Sequence, residues 1–314
     1  MSNVEIYQLF PHSGYLMHSY LVKTPNGKIV VVDGGNVRYM KDAYLPFAIR
    51  GVLGLGENDY FEIEAWFISH AHDDHYGEFI MMMREYDHKS NYKVNNFYFD
   101  FPDFEKGKYP FHDVDATSMQ ELKDSFQKYA TVNGIPSENY YDELNGRLIN
   151  KESVQKGLTV SIDGVDFDIL QTWSDEDDQV NGNSLVIRVS RSDKKGRTFL
   201  LLNDLSPKCG QRLVKSYGNT LKSDIVQLAH HGQGGCEKDV YDVIDADLRL
   251  WPTPSWVWAK PQYKTAQTRE WFGVDMENPN KERDFVGCKY EKYPENHRSV
   301  DDWKDCLDGM KIVL

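Results

Sequence analysis

Apolar residues fall in short runs along the first third of the chain, broken by turn-forming residues. Residues 4–10 (VEIYQLF), 16–24 (LMHSYLVKT) and 28–35 (KIVVVDGG) are β-branched or aromatic, separated by PHSG and PNG. They predict three strands joined by turns. A helix is expected over 39–53, a strand at 64–70 (EAWFISH) and a helix at 77–87, where apolar residues take helical spacing. A strand at 95–101 and a helix at 117–130 follow.

The second half repeats the theme. Strands are expected at 158–164, 165–173, 184–190, 198–204, 223–232, 246–252 and 310–314, with helices at 211–217 and 239–244. Short strands in two halves with interleaved helices predict an α+β fold, two packed sheets with helices outside. No linker rich in Pro, Gly or Ser divides residues 1–314, so a single domain is expected. Two irregular, aromatic and charged stretches, near 98–116 and 252–300, read as surface excursions.

Composition narrows the partners. Of 314 residues 40% are hydrophobic and 13% aromatic, enough for a substantial core. The chain carries 36 basic and 49 acidic residues, a net charge of −13, which repels phosphate backbones at long range. A small-molecule substrate is therefore expected ahead of nucleic acid. No run approaches the ~18 apolar residues of a membrane span, so no membrane partner is expected. The start lacks the basic and apolar regions of a signal peptide, and Cys209, Cys236, Cys288 and Cys306 form no Cys-x-x-Cys pair. Both features point to a cytoplasmic location. Oligomeric state is not set by any of these patterns.

One segment does not fit the pattern of a core. Directly after the apolar run AWFIS comes HAHDDHYG, residues 70–77, with three histidines and two aspartates in six residues. Burying imidazole and carboxylate without partners is costly. On an extended chain His70 and His72 point to the same side. Asp74 and His75 follow where the strand turns into a helix, with Asp73 or Asp74 a natural N-cap. Imidazole and carboxylate are the N and O ligands of zinc. Four donors from one short segment suit two adjacent divalent ions, His70 and His72 on one, Asp74 and His75 on the other. Zn2+ is expected, and Mn2+ or Fe would fit the same donors.

Two further strand ends supply donors. The run FLLLNDLS ends in Asn203-Asp204, and a carboxylate there could bridge two ions. The run DIVQLAHHGQGG ends in His230-His231 and a glycine-rich turn. Adjacent histidines diverge on an extended chain, so one is expected to bind metal. His230, following small Ala229, is preferred, with His231 as a proton donor. Trp251, Trp256 and Trp258 lie after the next strand and either line the substrate pocket or pack as core.

The segment HAHDDH resembles the H-x-H-x-D-H motif of the metallo-β-lactamase superfamily, and IVVVDGG resembles that superfamily's early strand ending in Asp-Gly, here Asp33-Gly34. The stretches NSLVIRV, TFLLLNDLS and SDIVQLAHHGQGG resemble the hydrolase domain of ComEC-type DNA-uptake proteins. Together the likeness runs over residues 4–252. Asn203 stands in place of the usual Gly and Gln233 in place of Ser. No third histidine for the first ion is apparent, since His88 and His112 sit at no strand end, and the His-Pro near the last strand is missing. The resemblance implies a four-layer αββα sandwich with two metals at one edge. It further implies a metal-bridging hydroxide as nucleophile, oriented by Asp74, with Asp33 orienting a ligand rather than binding metal. The expected activity is hydrolysis of a small phosphodiester. A carboxylic ester, thioester or lactam hydrolase, a DNA nuclease, and a non-catalytic metal-binding module are the alternatives.

Overall fold

A computed structural model describes residues 3–9, 18–35, 43–101, 116–135, 141–142, 147–148, 154–174, 179–290, 300–301, 307 and 311–314. Strands β1 (Glu5–Gln8), β2 (Ser19–Lys23) and β3 (Ile29–Asp33) form where the β-branched runs predict them. Helix α1 (Leu45–Leu53) opens with Pro46 in its first turn, where a missing N–H costs nothing, and ends on Gly54 in the left-handed conformation. Strand β4 (Phe61–Phe67) leads into α2 (Asp73–Arg84), then the short β5 (Tyr92–Val94) and β6 (Phe97–Tyr98), and α3 (Ala116–Asn133). A two-residue pair, β7 (Tyr141–Asp142) and β8 (Arg147–Leu148), precedes β9 (Thr159–Ile162), β10 (Val165–Gln171), β11 (Val186–Arg191) and β12 (Phe199–Leu201). The chain continues through α4 (Pro207–Tyr217), β13 (Ile225–Gln227), α5 (Lys238–Ile244), β14 (Leu248–Trp251), α6 (Ser255–Ala259), α7 (Thr265–Phe272), β15 (Asp284–Val286), α8 (Gly287–Tyr290) and β16 (Lys311–Val313).

Two sheets face each other. One runs β16-β1-β2-β3-β4-β5, with β6 also on β4, and the other runs β15-β14-β13-β12-β11-β10-β9. Their inner faces share one core, in which Val30, Val32, Ala65 and Phe67 meet Phe167, Ile187, Leu201 and Leu250. Phe67 stacks on Phe167 at 5.3 Å between ring centroids. The outer faces are covered too. Val31, Ile63 and Trp66 pack with Ile49 of α1, Phe79 of α2 and Phe126 of α3. Leu200 and Val226 pack with Leu213 of α4 and Val240 of α5. Strands buried on both faces read as continuous apolar runs, as IVVV in β3 does. The expected αββα sandwich is the fold.

The pairing fixes where chemistry can gather. β3 and β4 are parallel, as are β12, β13 and β14, so their carboxyl ends point to common edges. Ser19 at the start of β2 pairs with Asp33 at the end of β3, bringing His18 to the same edge.

Some expectations change. Helix α2 starts at Asp73, not Gly77, and its N-cap is His72 rather than an aspartate. Asp73 and Asp74 occupy the first turn, where the helix dipole favours their charge. The stretch expected to be irregular over 252–300 contains α6, α7, α8 and β15. β15 is held by a buried bidentate contact of Arg249 with Asp284, at 2.6 and 2.7 Å, and by the Trp251 indole N–H on Asp284. These partners are 33 to 35 residues apart, out of reach of any local pattern. The excursion expected near 98–116 lies outside the described residues from 102 to 115, as do Cys306 and His112.

Candidate metal centre

Histidines and carboxylates from three strand ends and one helix start converge on one buried volume. Ser69 and His70 follow β4, Asp74 and His75 open α2, Asp204 follows β12, and His231 follows β13. Asp74, His75, Asp204 and His231 form one group of close donors; His70, His72 and Asp204 form a second. Asp204 belongs to both.

Distances within the first group suit a shared cation. His231 Nε2 lies 3.0 Å from Asp74 Oδ2 and 3.6 Å from Asp204 Oδ2. His75 Nε2 lies 3.4 Å from Asp204 Oδ2 and 3.9 Å from Asp74 Oδ2. Donors around a tetrahedral zinc at 2.0–2.2 Å stand about 3.4 Å apart, so these side chains already outline a coordination shell. In the second group His70 Nε2 is 3.1 Å from His72 Nδ1 and 4.0 Å from Asp204 Oδ2.

The partners behind the rings set their tautomers. His75 Nδ1 lies 2.7 Å from Asp33 Oδ2, which requires a proton on Nδ1 and turns Nε2 inward. His231 Nδ1 donates to the Pro252 carbonyl at 3.0 Å, with the same result. Ser69 Oγ donates to Asp33 Oδ2 at 2.8 Å and accepts from His70 Nδ1 at 2.9 Å, freeing His70 Nε2. One buried carboxylate thereby orients ligands of both groups, as outer-shell partners of metal-bound histidines commonly do.

Burial and charge make the same point. Asp33, Asp74 and Asp204 are buried within a few ångströms of one another's histidines. Burial alone would raise each carboxyl pKa, yet all three are held below the usual range, Asp33 mainly by His75 and His18, and Asp74 and Asp204 mainly by His75 and His231. Conversely, burial would lower His75 and His231, but the carboxylates, Asp204 foremost, raise both. Burial drives His70 well below the usual histidine range. Protons on His75 and His231 thus sit where the carboxylates call for positive charge. Among the described residues His75 Nε2 and Asp204 Oδ1 have no hydrogen-bond partner. Orphaned polar atoms of this kind, aimed into a cluster of buried carboxylates, fit a site for divalent cations.

The His-His pair departs from expectation. His230, preferred as ligand, has its Nε2 3.9 Å from Asp204 Oδ2 with its side chain 30% exposed, whereas His231 is buried within the first donor group. The alternation of a strand does not apply, because His230 and His231 sit in a turn with φ of 52° and 54°. Thr253 Oγ1 holds the His231 carbonyl. Gly232 continues the turn at φ 75°, and a Cβ there would meet Trp251 Cε3 at 2.8 Å. Asp33 (φ 58°) and Asn203 (φ 51°) are left-handed as well, so backbone strain collects at this edge. Trp251 and Trp258 are buried and cross at 90°, which is packing.

Sequence reasoning passed over His18. It is fully buried, with Nδ1 3.0 Å from Asp33 Oδ2 and its ring stacked on His75 at 5.0 Å. A single histidine inside an apolar run gives no local signal of this role. Asn181, whose carboxamide nitrogen lies 3.5 Å from His230 Nε2, is a second such neighbour.

Comparison with known proteins finds one family and several similar proteins. Residues 79 in number, 25% of this chain, are 35% identical to the competence protein ComA of Neisseria gonorrhoeae, and span 11% of that protein. The metallo-beta-lactamase fold protein YhfI of Bacillus subtilis is similar in structure at 12% identity, over 91% of this chain and 96% of that one, with a TM-score of 0.49. CmlA, a diiron β-hydroxylase from Streptomyces venezuelae, is similar over 80% of this chain and 46% of its own at 12% identity, TM-score 0.42. Residues 16–179 match the family model described as the metallo-beta-lactamase superfamily. That match spans over half the chain, and with the donor cluster it implies divalent metal: the chain belongs to the metallo-beta-lactamase superfamily.

Proposed function

We propose that this protein is a dinuclear metal-dependent hydrolase of a small phosphodiester. The observation that carries the reading is Asp204, common to both donor groups, since two cations sharing one carboxylate suit displacement at phosphorus. His70, His72 and Asp204 would hold one cation, and Asp74, His75, Asp204 and His231 the other. Zinc is the ion we favour, on the balance of imidazole and carboxylate. When bound, the pair supplies Lewis-acid charge and lowers the pKa of a bound water to about 7.

The chain's own groups divide the remaining work. Asp33 keeps His75 in the Nδ1–H form, and through Ser69 does the same for His70. Asp74 Oδ2 accepts from the attacking water and orients it. His231 Nδ1 is held by the Pro252 carbonyl and its Nε2 would face the cation, so it is not free to protonate a leaving group. His230, partly exposed beside Asn181, is better placed for that step.

Among the described residues no helix is long and apolar enough to cross a membrane. Likeness to part of a competence protein favours one second reading, a nuclease, against the acidic balance of the chain. The test is metal content per chain together with turnover of bis(4-nitrophenyl) phosphate, a carboxylic ester, a lactam and DNA. Two ions with preference for the phosphodiester are expected. Turnover confined to the ester or lactam would overturn the substrate class.

A further inference from the structure

A histidine in a buried strand is ordinarily packing, but His18 is an expensive way to pack. Its side chain is fully buried, and among the described residues neither Nε2 nor Nδ1 meets hydrogen-bond geometry with a partner, Nδ1 standing instead at ion-pair distance from Asp33. An unsatisfied buried polar atom costs about 1–3 kcal/mol, a penalty phenylalanine would avoid at similar volume. His18 meets the surroundings of the first donor group in three ways, two through the imidazole and one through the backbone. Nδ1 reaches Asp33 Oδ2 at 3.0 Å. The ring lies nearly parallel to His75, 20° between planes and 5.0 Å between centroids. Its backbone N–H donates to the Asp74 carbonyl at 3.3 Å. His18 therefore ties the start of β2 to the first turn of α2, where Asp74 and His75 lie.

Asp33 Oδ2 is crowded by three groups, Ser69 Oγ, His75 Nδ1 and His18 Nδ1, while Oδ1 takes the Ser69 N–H at 2.7 Å. A carboxylate with only the serine behind it could swing away from His75. His18, against the same Oδ2 and stacked on the His75 ring, fills the space such a swing would need.

We propose that His18 is a positioning residue for the cation site formed by Asp74, His75, Asp204 and His231: its imidazole, with Nδ1 3.0 Å from Asp33 Oδ2 and its ring against His75, holds Asp33 in place, and Asp33 fixes the His75 ring and tautomer. The inference rests on the dinuclear reading above. It assigns His18 no contact with substrate or metal.

The test compares His18→Phe, which keeps the stack and removes the donor, with His18→Asn, whose amide nitrogen overlays Nδ1. Metal retained per chain is followed against a graded chelator, with His231→Ala and His70→Ala marking which ion is lost. His18→Phe is expected to weaken the ion that His231→Ala removes by roughly 10–100-fold, leaving the other in place. His18→Asn should recover most of that loss. Equal retention of both ions in His18→Phe, or equal loss in the Asn and Phe variants, overturns the proposal while leaving the dinuclear reading intact. Wild-type protein that binds no metal overturns that reading first and this one with it. Should His18→Phe fail to fold, nitrogen chemical shifts of the wild-type histidines decide. His18 protonated on Nδ1 is expected, and protonation on Nε2 contradicts the role.

Discussion

Asp74 shows how much one side chain at the edge of the sandwich is asked to do. Its carboxylate lies 3.0 Å from His231 Nε2 and 3.9 Å from His75 Nε2, within the donor group that also holds Asp204. An amide of the same size is a poorer ligand and cannot accept a proton. Asp74→Asn should lower turnover of the best phosphodiester by about 10^2–10^3-fold, the scale of removing one electrostatic group from an active site. The fold should survive, because it rests on the apolar sheets, and far-ultraviolet circular dichroism with an unchanged urea midpoint would check this. Near-wild-type turnover would contradict the role. At this scale the sequence is legible where donors are local. His70, His72, Asp74 and His75 lie within six residues, so strand alternation and a helix start suffice to bring them together. Choosing between His230 and His231 is not local. It depends on two left-handed residues held by Pro252 and Thr253, some twenty residues downstream. His18 is invisible for the same reason, since its partner Asp33 arrives through strand pairing.

Among elements, the turn after β13 and the packing of α1 on α2 carry separate predictions. Gly232 combines φ 75° with a Cβ position 2.8 Å from Trp251 Cε3, and Trp251 is pinned by its bond to Asp284. Gly232→Ala should destabilise by about 2–4 kcal/mol, from left-handed backbone strain plus overpacking. A lower urea midpoint at constant slope would show it, and an unchanged midpoint would contradict it. Glu78 on α2 is buried and accepts the Leu45 N–H at 2.8 Å, capping α1. Burial pushes its carboxyl from an ordinary 4.5 up to about 8. Between those values the folded chain holds a proton that the unfolded chain has released, so this group's contribution to stability falls as pH rises from 4.5 to 8. Glu78→Gln keeps an acceptor and removes the titration. Relative to wild type, the variant should gain roughly 1.4 kcal/mol per pH unit across that window. A constant difference between pH 5 and 8 would contradict this. Most elements are legible because each long apolar run becomes a strand or helix. The exceptions gather in 252–300, among them β15: three residues long, it is held where Asp284 reaches Arg249 and Trp251 across the fold.

For the whole molecule, charge decides which phosphates arrive. With 36 basic against 49 acidic residues, the chain offers little to a long polyanion, and two cations give a positive focus sized for one phosphate group. Small phosphodiesters should be cleaved faster than single- or double-stranded DNA at equal phosphate concentration. Efficient DNA cleavage that collapses as salt rises would reverse that ranking and favour a nuclease. The layered architecture itself is readable from the alternation of runs in two halves, while the edge where the site assembles follows from parallel pairing that no single run contains.

The central claim, two cations sharing Asp204, is tested most directly by anomalous diffraction at the metal absorption edge from crystals of the metal-loaded protein. Two peaks are predicted, each within about 2.0–2.2 Å of an Asp204 oxygen, one beside His70 and His72 and the other beside His75 and His231. A single ion, or ions that leave Asp204 uncoordinated, would contradict it.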